Sequence, residues 1–233
     1  MIITVVGAGG KTTVCLRLGA ELAAIGFKVL YATTTHILLQ KELPVFIGDP
    51  RDIVPQGNFM SAAREKAEGD KLKGFTGPDI DLIAQKQIFD IVIVEGDGAK
   101  GRPVKAPAEW EPVYPQNTKI VIGVIGLDCI GKPITDEYVH RSELFCKVTG
   151  STFGEKITCE YLRQLIQSPQ GLFRHAPEAA QKIVFLNKAD LLGKNKEQAL
   201  SLLRSADFPV LLTSQENDWP NDFIQKFILG TKG

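Results

Sequence analysis

Residues 5–13 read VVGAGGKTT and follow directly on an apolar, β-branched run that opens at Ile2. A short strand, a glycine turn and then Lys-Thr-Thr leading into an amphipathic helix is the layout of a phosphate-binding loop. Glycines let backbone N–H groups close around phosphate oxygens, and the helix that follows presents the positive end of its dipole to them. Gly7, Ala8, Gly9, Gly10, Lys11, Thr12 and Thr13 are therefore the candidate nucleotide-binding residues. In this pattern Lys11 reaches the β- and γ-phosphates and the Thr12 hydroxyl completes a Mg²⁺ site. The alternative is an ordinary glycine turn; the order strand, loop, Lys-Thr, helix favours the phosphate reading.

The loop is compressed. The usual pattern places a glycine five positions before the Gly-Lys pair, and that position is Val5 here. The shortened form Gly7-Ala8-Gly9-Gly10-Lys11-Thr12-Thr13 resembles the G-x-x-G-K-T-T loop of the Mur peptide ligases, and compact loops of some P-loop accessory proteins.

Composition narrows the partners. With 27 basic and 27 acidic residues the net charge is zero, which argues against nucleic acid or a membrane surface, since both demand a basic excess. No apolar stretch reaches membrane-spanning length; IVIGVIGLDCIG is interrupted by glycines and Asp128. The chain opens inside a strand without a basic region or cleavage signal, so a cytoplasmic protein is expected. The four cysteines, Cys15, Cys129, Cys146 and Cys159, show no C-x-x-C pairing and give no zinc or disulfide signature.

Continuous apolar runs recur at Lys28–His36, Ile91–Ala99, Lys119–Leu127, Lys182–Asp190 and Phe208–Ser214. Helical patterns separate them, at Thr12–Ile25, Pro78–Phe89, His140–Lys147, Thr158–Gln167, Pro177–Gln181 and Lys196–Ser205. Unbroken β-branched runs between helices mark strands covered on both faces, hence a mainly parallel sheet. The expected fold is α/β: a three-layer, P-loop NTPase-like arrangement in a single domain over 1–233, with an irregular edge insertion at 39–77. The length of 233 residues is sufficient for such a core.

In open α/β sheets ligands sit beyond the carboxyl ends of the strands, so the polar residues there are the next candidates. The second run ends in Thr33-Thr34-Thr35-His36, with the hydroxyls, Thr34 among them, either facing the γ-phosphate or its Mg²⁺ water shell, or capping the next helix or bonding in the sheet. The third ends in Glu95-Gly96-Asp97. An acid after four β-branched residues matches the metal- or water-directing acid of P-loop enzymes. Glu95 and Asp97 are thus the candidate catalytic and Mg²⁺-binding carboxylates with Lys11 and Thr12, and the spacing leaves open which of the two holds the metal. The run ending at Asn187-Lys188-Ala189-Asp190 carries the N-K-x-D pattern that reads guanine, with Asp190 accepting from the ring N–H and exocyclic amine. The next strand ends in Thr213-Ser214 followed by Gln215-Glu216, an incomplete base-contacting element, so GTP and ATP both stay open. Lys100, Arg102 and Lys105 sit among glycines and prolines as either an anion site or a solvated basic loop. His140 and Arg141 either add to that site or begin a surface helix.

Together VVGAGGKTT, TTTH, VEGDGAKGRPVKAPAEWEP, VIGLDCIGKPI with HRSELF, and FLNKAD resemble the YqeC family. Members of that family are accessory proteins linked to selenium-dependent molybdenum hydroxylases. The resemblance implies a P-loop NTPase with a role in maturing a selenium- or molybdenum-cofactor enzyme, that enzyme being the implied partner. The function expected is Mg²⁺-dependent binding and hydrolysis of GTP or ATP. Two alternatives remain: a ligase or kinase with a Mur-like loop, or a nucleotide-switched binding protein with negligible catalysis.

Overall fold

The computed structural model describes residues 1–195, 208–214, 217 and 219–230. Thirteen strands carry the topology: β1 (Ile2–Gly7), β2 (Val29–Thr33), β3 (His36–Leu38), β4 (Val45–Ile47), β5 (Phe59–Ala63), β6 (Glu65–Lys66), β7 (Lys71–Lys73), β8 (Ile91–Glu95), β9 (Val104–Lys105), β10 (Thr118–Gly126), β11 (Val139–His140), β12 (Gln181–Asn187) and β13 (Val210–Thr213). Eight of them form one sheet in the order β13-β12-β10-β1-β8-β2-β5-β4, with every pairing parallel. β1 lies between β8 and β10, which puts the glycine loop at the centre of the carboxyl edge.

Period-two alternation explains the three layers. Ile3, Val5, Tyr31, Ile93, Ile122 and Phe185 face one side, where they meet Val14, Leu18 and Leu22 of α1 (Lys11–Ala24). Trp219 and Phe223 of a helix at Trp219–Phe223 join that layer. Ile2, Leu30, Val92 and Val94 face the other side and pack on Ile80 and Ile83 of α2 (Gly77–Gln85). Val121, Ile125, Val184 and Leu186 on that side pack on α3 (Ser142–Thr149) and α4 (Cys159–Gln167). The short Trp219–Phe223 helix is α5 in chain order. Strands buried on both faces are what unbroken apolar runs produce, and the α/β, parallel-sheet expectation is borne out.

The 39–77 stretch supplies β5 and the edge strand β4, while β6 and β7 join β3 in a small antiparallel sheet of order β3-β7-β6. That sheet is anchored through Ile37 and Leu72 to the core beneath α1. Three expectations change. Pro177–Gln181 is a turn closed by Ala180 N donating to Pro177 O at 3.0 Å, too short for a helix, and the chain is already entering β12. The helix expected from His140 starts at Ser142, because His140 belongs to β11 and pairs with Lys105 of β9. The run from Lys28 to His36 breaks after Thr33, and His36 opens β3 of the small sheet. The helix expected at Lys196–Ser205 lies outside the described residues.

Candidate functional site

The glycine loop is held by backbone contact with its neighbours. Ala8 N donates to Val124 O at 2.9 Å, Gly9 N to Arg102 O at 3.1 Å and Gly7 N to Asp97 Oδ2 at 3.2 Å. A side chain at Gly9 would place its Cβ 2.2 Å from Gly126 N, so only glycine lets the loop lie against β10. Gly10, at φ 118°, turns the chain into α1 with no side-chain cap and no acid in the first turn. The first helical bond runs from Val14 N to Gly10 O at 3.0 Å. The N–H groups of Gly10, Lys11, Thr12 and Thr13 therefore have no intrahelical acceptor and form the anion-facing end of the helix. Ala8 and Gly9 shape this cradle while their own N–H groups are spent on carbonyls.

Two carboxylates border the loop and take different partners. Glu95, at the end of β8, accepts from Thr12 Oγ1 at 2.7 Å and from the Tyr31 hydroxyl. Burial and the adjacent Glu95 carboxylate push the Tyr31 phenol far above its ordinary range, so Tyr31 stays a neutral donor. Asp97, 1% exposed, lies between two ammonium groups: Lys11 Nζ at 3.3 Å from Oδ1 and Lys105 Nζ at 2.8 Å from Oδ2. Lys11 also donates to Gly7 O at 2.8 Å. Glu95 and Thr12 thus pair hard oxygen donors at the helix N-terminus, the set that suits Mg²⁺ alongside phosphate oxygens. The two acids thus differ in setting: Glu95 faces the Thr12 and Tyr31 hydroxyls, and Asp97 is enclosed by Lys11 and Lys105.

Lys105 departs from expectation. It is buried, and besides Asp97 it donates to Glu111 Oε2 at 2.8 Å and to Gly98 O at 2.7 Å. Glu111 in turn binds Arg141 through both oxygens, at 2.6 and 3.1 Å. Lys11, Asp97, Lys105, Glu111 and Arg141 therefore form one chain of alternating charges leading inward from the loop, and Lys105 and Arg141 are not free for a ligand. Burial raises the Glu111 carboxyl, but hydrogen bonds from Arg141 and Lys105 outweigh it and hold the group below its usual range. His140 sits beside this chain; burial, then Arg141 and Lys105, lower it to about 4 and keep the imidazole neutral. Thr34 also departs from the phosphate reading, since its hydroxyl donates to Val113 O at 3.2 Å.

Two cavities open at the loop. A larger one of about 1030 Å³ is lined by Gly9–Thr12, Glu95 and Asp97, by the small sheet, and by the segment bearing Lys100 and Arg102. A smaller one of about 270 Å³ is lined by Thr13, Arg17, Asn187, Asp190, Ser214 and Trp219. Asn187 joins the two regions: its Nδ2 donates to Gly9 O at 2.8 Å and its Oδ1 accepts from Thr213 Oγ1 at 3.1 Å. Lys188 is instead turned to Asp128, with Nζ 2.6 Å from Oδ2. Arg17 donates to Ser214 O and Asn217 O, each at 2.7 Å, and lies 5.6 Å over the Trp219 ring. Sequence reasoning missed Tyr31, Glu111, Arg17 and Trp219. The first is an aromatic in a core strand, and the others give no motif.

The family described as YqeC protein matches residues 3–143. The YqeC protein of Escherichia coli (strain K12) is 36% identical over 194 residues, covering 80% of this chain and 75% of that one. Among solved structures, the MinC:MinD cell division protein complex of Aquifex aeolicus aligns at 16% identity and a TM-score of 0.44, over 97% of this chain and 85% of that one. The family match takes in the glycine loop, Glu95, Asp97 and the basic segment after them, and the relative extends the likeness beyond it: the chain belongs to the YqeC family.

Proposed function

We propose that this chain is a single-domain, cytoplasmic, Mg²⁺-dependent nucleoside triphosphatase that serves the maturation of a selenium-dependent molybdenum hydroxylase or its cofactor. The observation that carries the nucleotide reading is the uncapped N-terminus of α1, where Lys11 and the Thr12–Glu95 pair line one large cavity. The maturation role rests on the family resemblance.

In this reading the triphosphate lies on the N–H groups of Gly10–Thr13. Lys11, whose ammonium has three donors, keeps Gly7 O and Asp97 while offering a hydrogen to a phosphate oxygen. Thr12 and Glu95 would hold Mg²⁺, which neutralises charge on the transferred phosphoryl. The base enters the smaller cavity, where the Trp219–Arg17 stack gives a rigid wall and Asp190 offers a carboxylate to a guanine edge. That cavity favours GTP over ATP.

The test is phosphate release from Mg²⁺-GTP and Mg²⁺-ATP by purified protein. Wild type is expected to turn over GTP faster, and Thr12→Ala to lose at least tenfold in rate, consistent with losing a metal-ligand hydroxyl. Equal rates for Thr12→Ala and wild type would reject the assignment of the loop.

A further inference from the structure

We propose that the large cavity holds, beside the terminal phosphate, a second binding site for a small molecule bearing a carboxylate or phosphate group. This rests on the nucleotide reading above and adds a second ligand to it. The cavity of about 1030 Å³ is at the upper limit of small-ligand sites, about 300–1,000 Å³, yet the glycine loop forms only one of its walls. With the base in the separate 270 Å³ cavity, the larger one has room beyond the phosphates.

Lys71, Lys100 and Arg102 line this cavity, and among the described residues none of the three has a carboxylate partner. The other cations nearby each have a carboxylate partner: Lys11 and Lys105 on Asp97, Lys188 on Asp128, Lys73 on Glu65, and of these Lys11 already serves the phosphates in the reading above. Glu68 is the acid on the small-sheet wall, while Glu95 and Asp97 are engaged with Thr12 and the lysines. Cations without a carboxylate partner lining one concavity favour an anion, and Arg recognises carboxylate and phosphate through its planar fork.

Arg102 O accepts from Gly9 N at 3.1 Å, and Pro103 O from Gly126 N at 2.9 Å, so the cationic segment is fastened to the phosphate loop itself. Arg102 Nε donates to Asp136 O at 2.7 Å, which fixes the guanidinium while leaving its terminal nitrogens without a partner among the described residues. Lys100 and Gly101 both take left-handed backbone, at φ 49° and 72°. Ile37 and Leu38 on the small sheet add apolar surface to the same cavity, with Leu38 61% exposed. The ligand that fits carries an anionic group toward Lys100 and Arg102 and a less polar part against β3.

The experiment is calorimetric titration of protein saturated with Mg²⁺ and a β,γ-imido guanosine triphosphate analogue, using inorganic phosphate in one arm and succinate in the other. Saturable binding in either arm is expected, and the arm that binds names the anion class. Lys100→Gln with Arg102→Gln is expected to weaken it tenfold or more. Lys71→Gln is expected to weaken it at least threefold while analogue affinity stays within twofold. Analogue binding with no anion binding in either arm, or anion binding that survives the double substitution, would overturn the second site alone. Failure of wild type to bind the analogue would overturn the nucleotide reading and this site with it.

Discussion

Lys105 Nζ lies 2.8 Å from Asp97 Oδ2, and both side chains are 1% exposed. Two opposite charges so fully removed from water are tolerable only as a pair, because breaking a buried pair strands the remaining charge at a cost of about 3–5 kcal/mol. Asp97→Asn leaves Lys105 its second carboxylate partner, Glu111, so a smaller loss of about 1.5–3 kcal/mol is expected, read from the urea midpoint at constant slope. Adding Lys105→Met should recover part of the loss. A midpoint unchanged by Asp97→Asn would contradict the paired state.

Asn187 spans the gap between the glycine loop and β13 through Gly9 O and Thr213 Oγ1. Asn187→Ala removes both bonds and leaves Thr213, fully buried, without that acceptor. A loss of about 1–3 kcal/mol in stability is expected, together with weaker nucleotide binding as the loop loses its brace. Thermal unfolding and analogue titration of the same variant check both. Gly10→Ala should be harsher, since its Cβ would come 2.4 Å from Asn187 Nδ2 at a φ of 118°.

What the sequence discloses here follows physical lines. β1, β8, β10 and β12 were legible because strands buried on both faces must be apolar without interruption. Glu95 was legible because it terminates such a run. Lys105 was not: its burial depends on the two-residue pairing of β9 with β11, which brings Val104 to Val139 and Lys105 to His140 and leaves no periodic trace. Glu111 and Arg141 acquire meaning only once that pairing places them together. Tyr31 reads as core from its strand, and only the fold shows its hydroxyl on Glu95.

His140 gives a pH signature. Its folded value of about 4, below the ordinary 6.5, means the unfolded chain takes up the proton first on acidification. The contribution of neutral His140 is complete above about pH 6.5 and declines as pH falls through 6.5 toward 4. Melting temperature should drop across that window, and His140→Gln should flatten the drop. Glu111, held below its usual range, adds to the drop only below about pH 4.5, at the acid end of that window. An identical pH profile for the variant would count against this placement of the imidazole.

Asp190 lines the smaller cavity with Asn187 and Trp219. If it accepts from a guanine edge, Asp190→Asn removes one ionised acceptor, and a charged hydrogen bond of this kind contributes about 1.5–3 kcal/mol. GTP affinity should fall roughly tenfold or more on that basis, with ATP affinity little changed. Competition between the two nucleotides on wild type and variant measures the difference directly. Parallel losses for both would assign Asp190 no part in base choice.

In the function proposed, Lys11, at the uncapped start of α1 and 3.3 Å from Asp97, binds the phosphates of a nucleoside triphosphate. Calorimetric titration of wild type and Lys11→Ala with the Mg²⁺-loaded β,γ-imido guanosine triphosphate analogue tests it most directly. One saturable site is expected on wild type and its loss in Lys11→Ala, with far-ultraviolet circular dichroism unchanged. Tight binding that persists in the variant, or no binding by folded wild type, would contradict it.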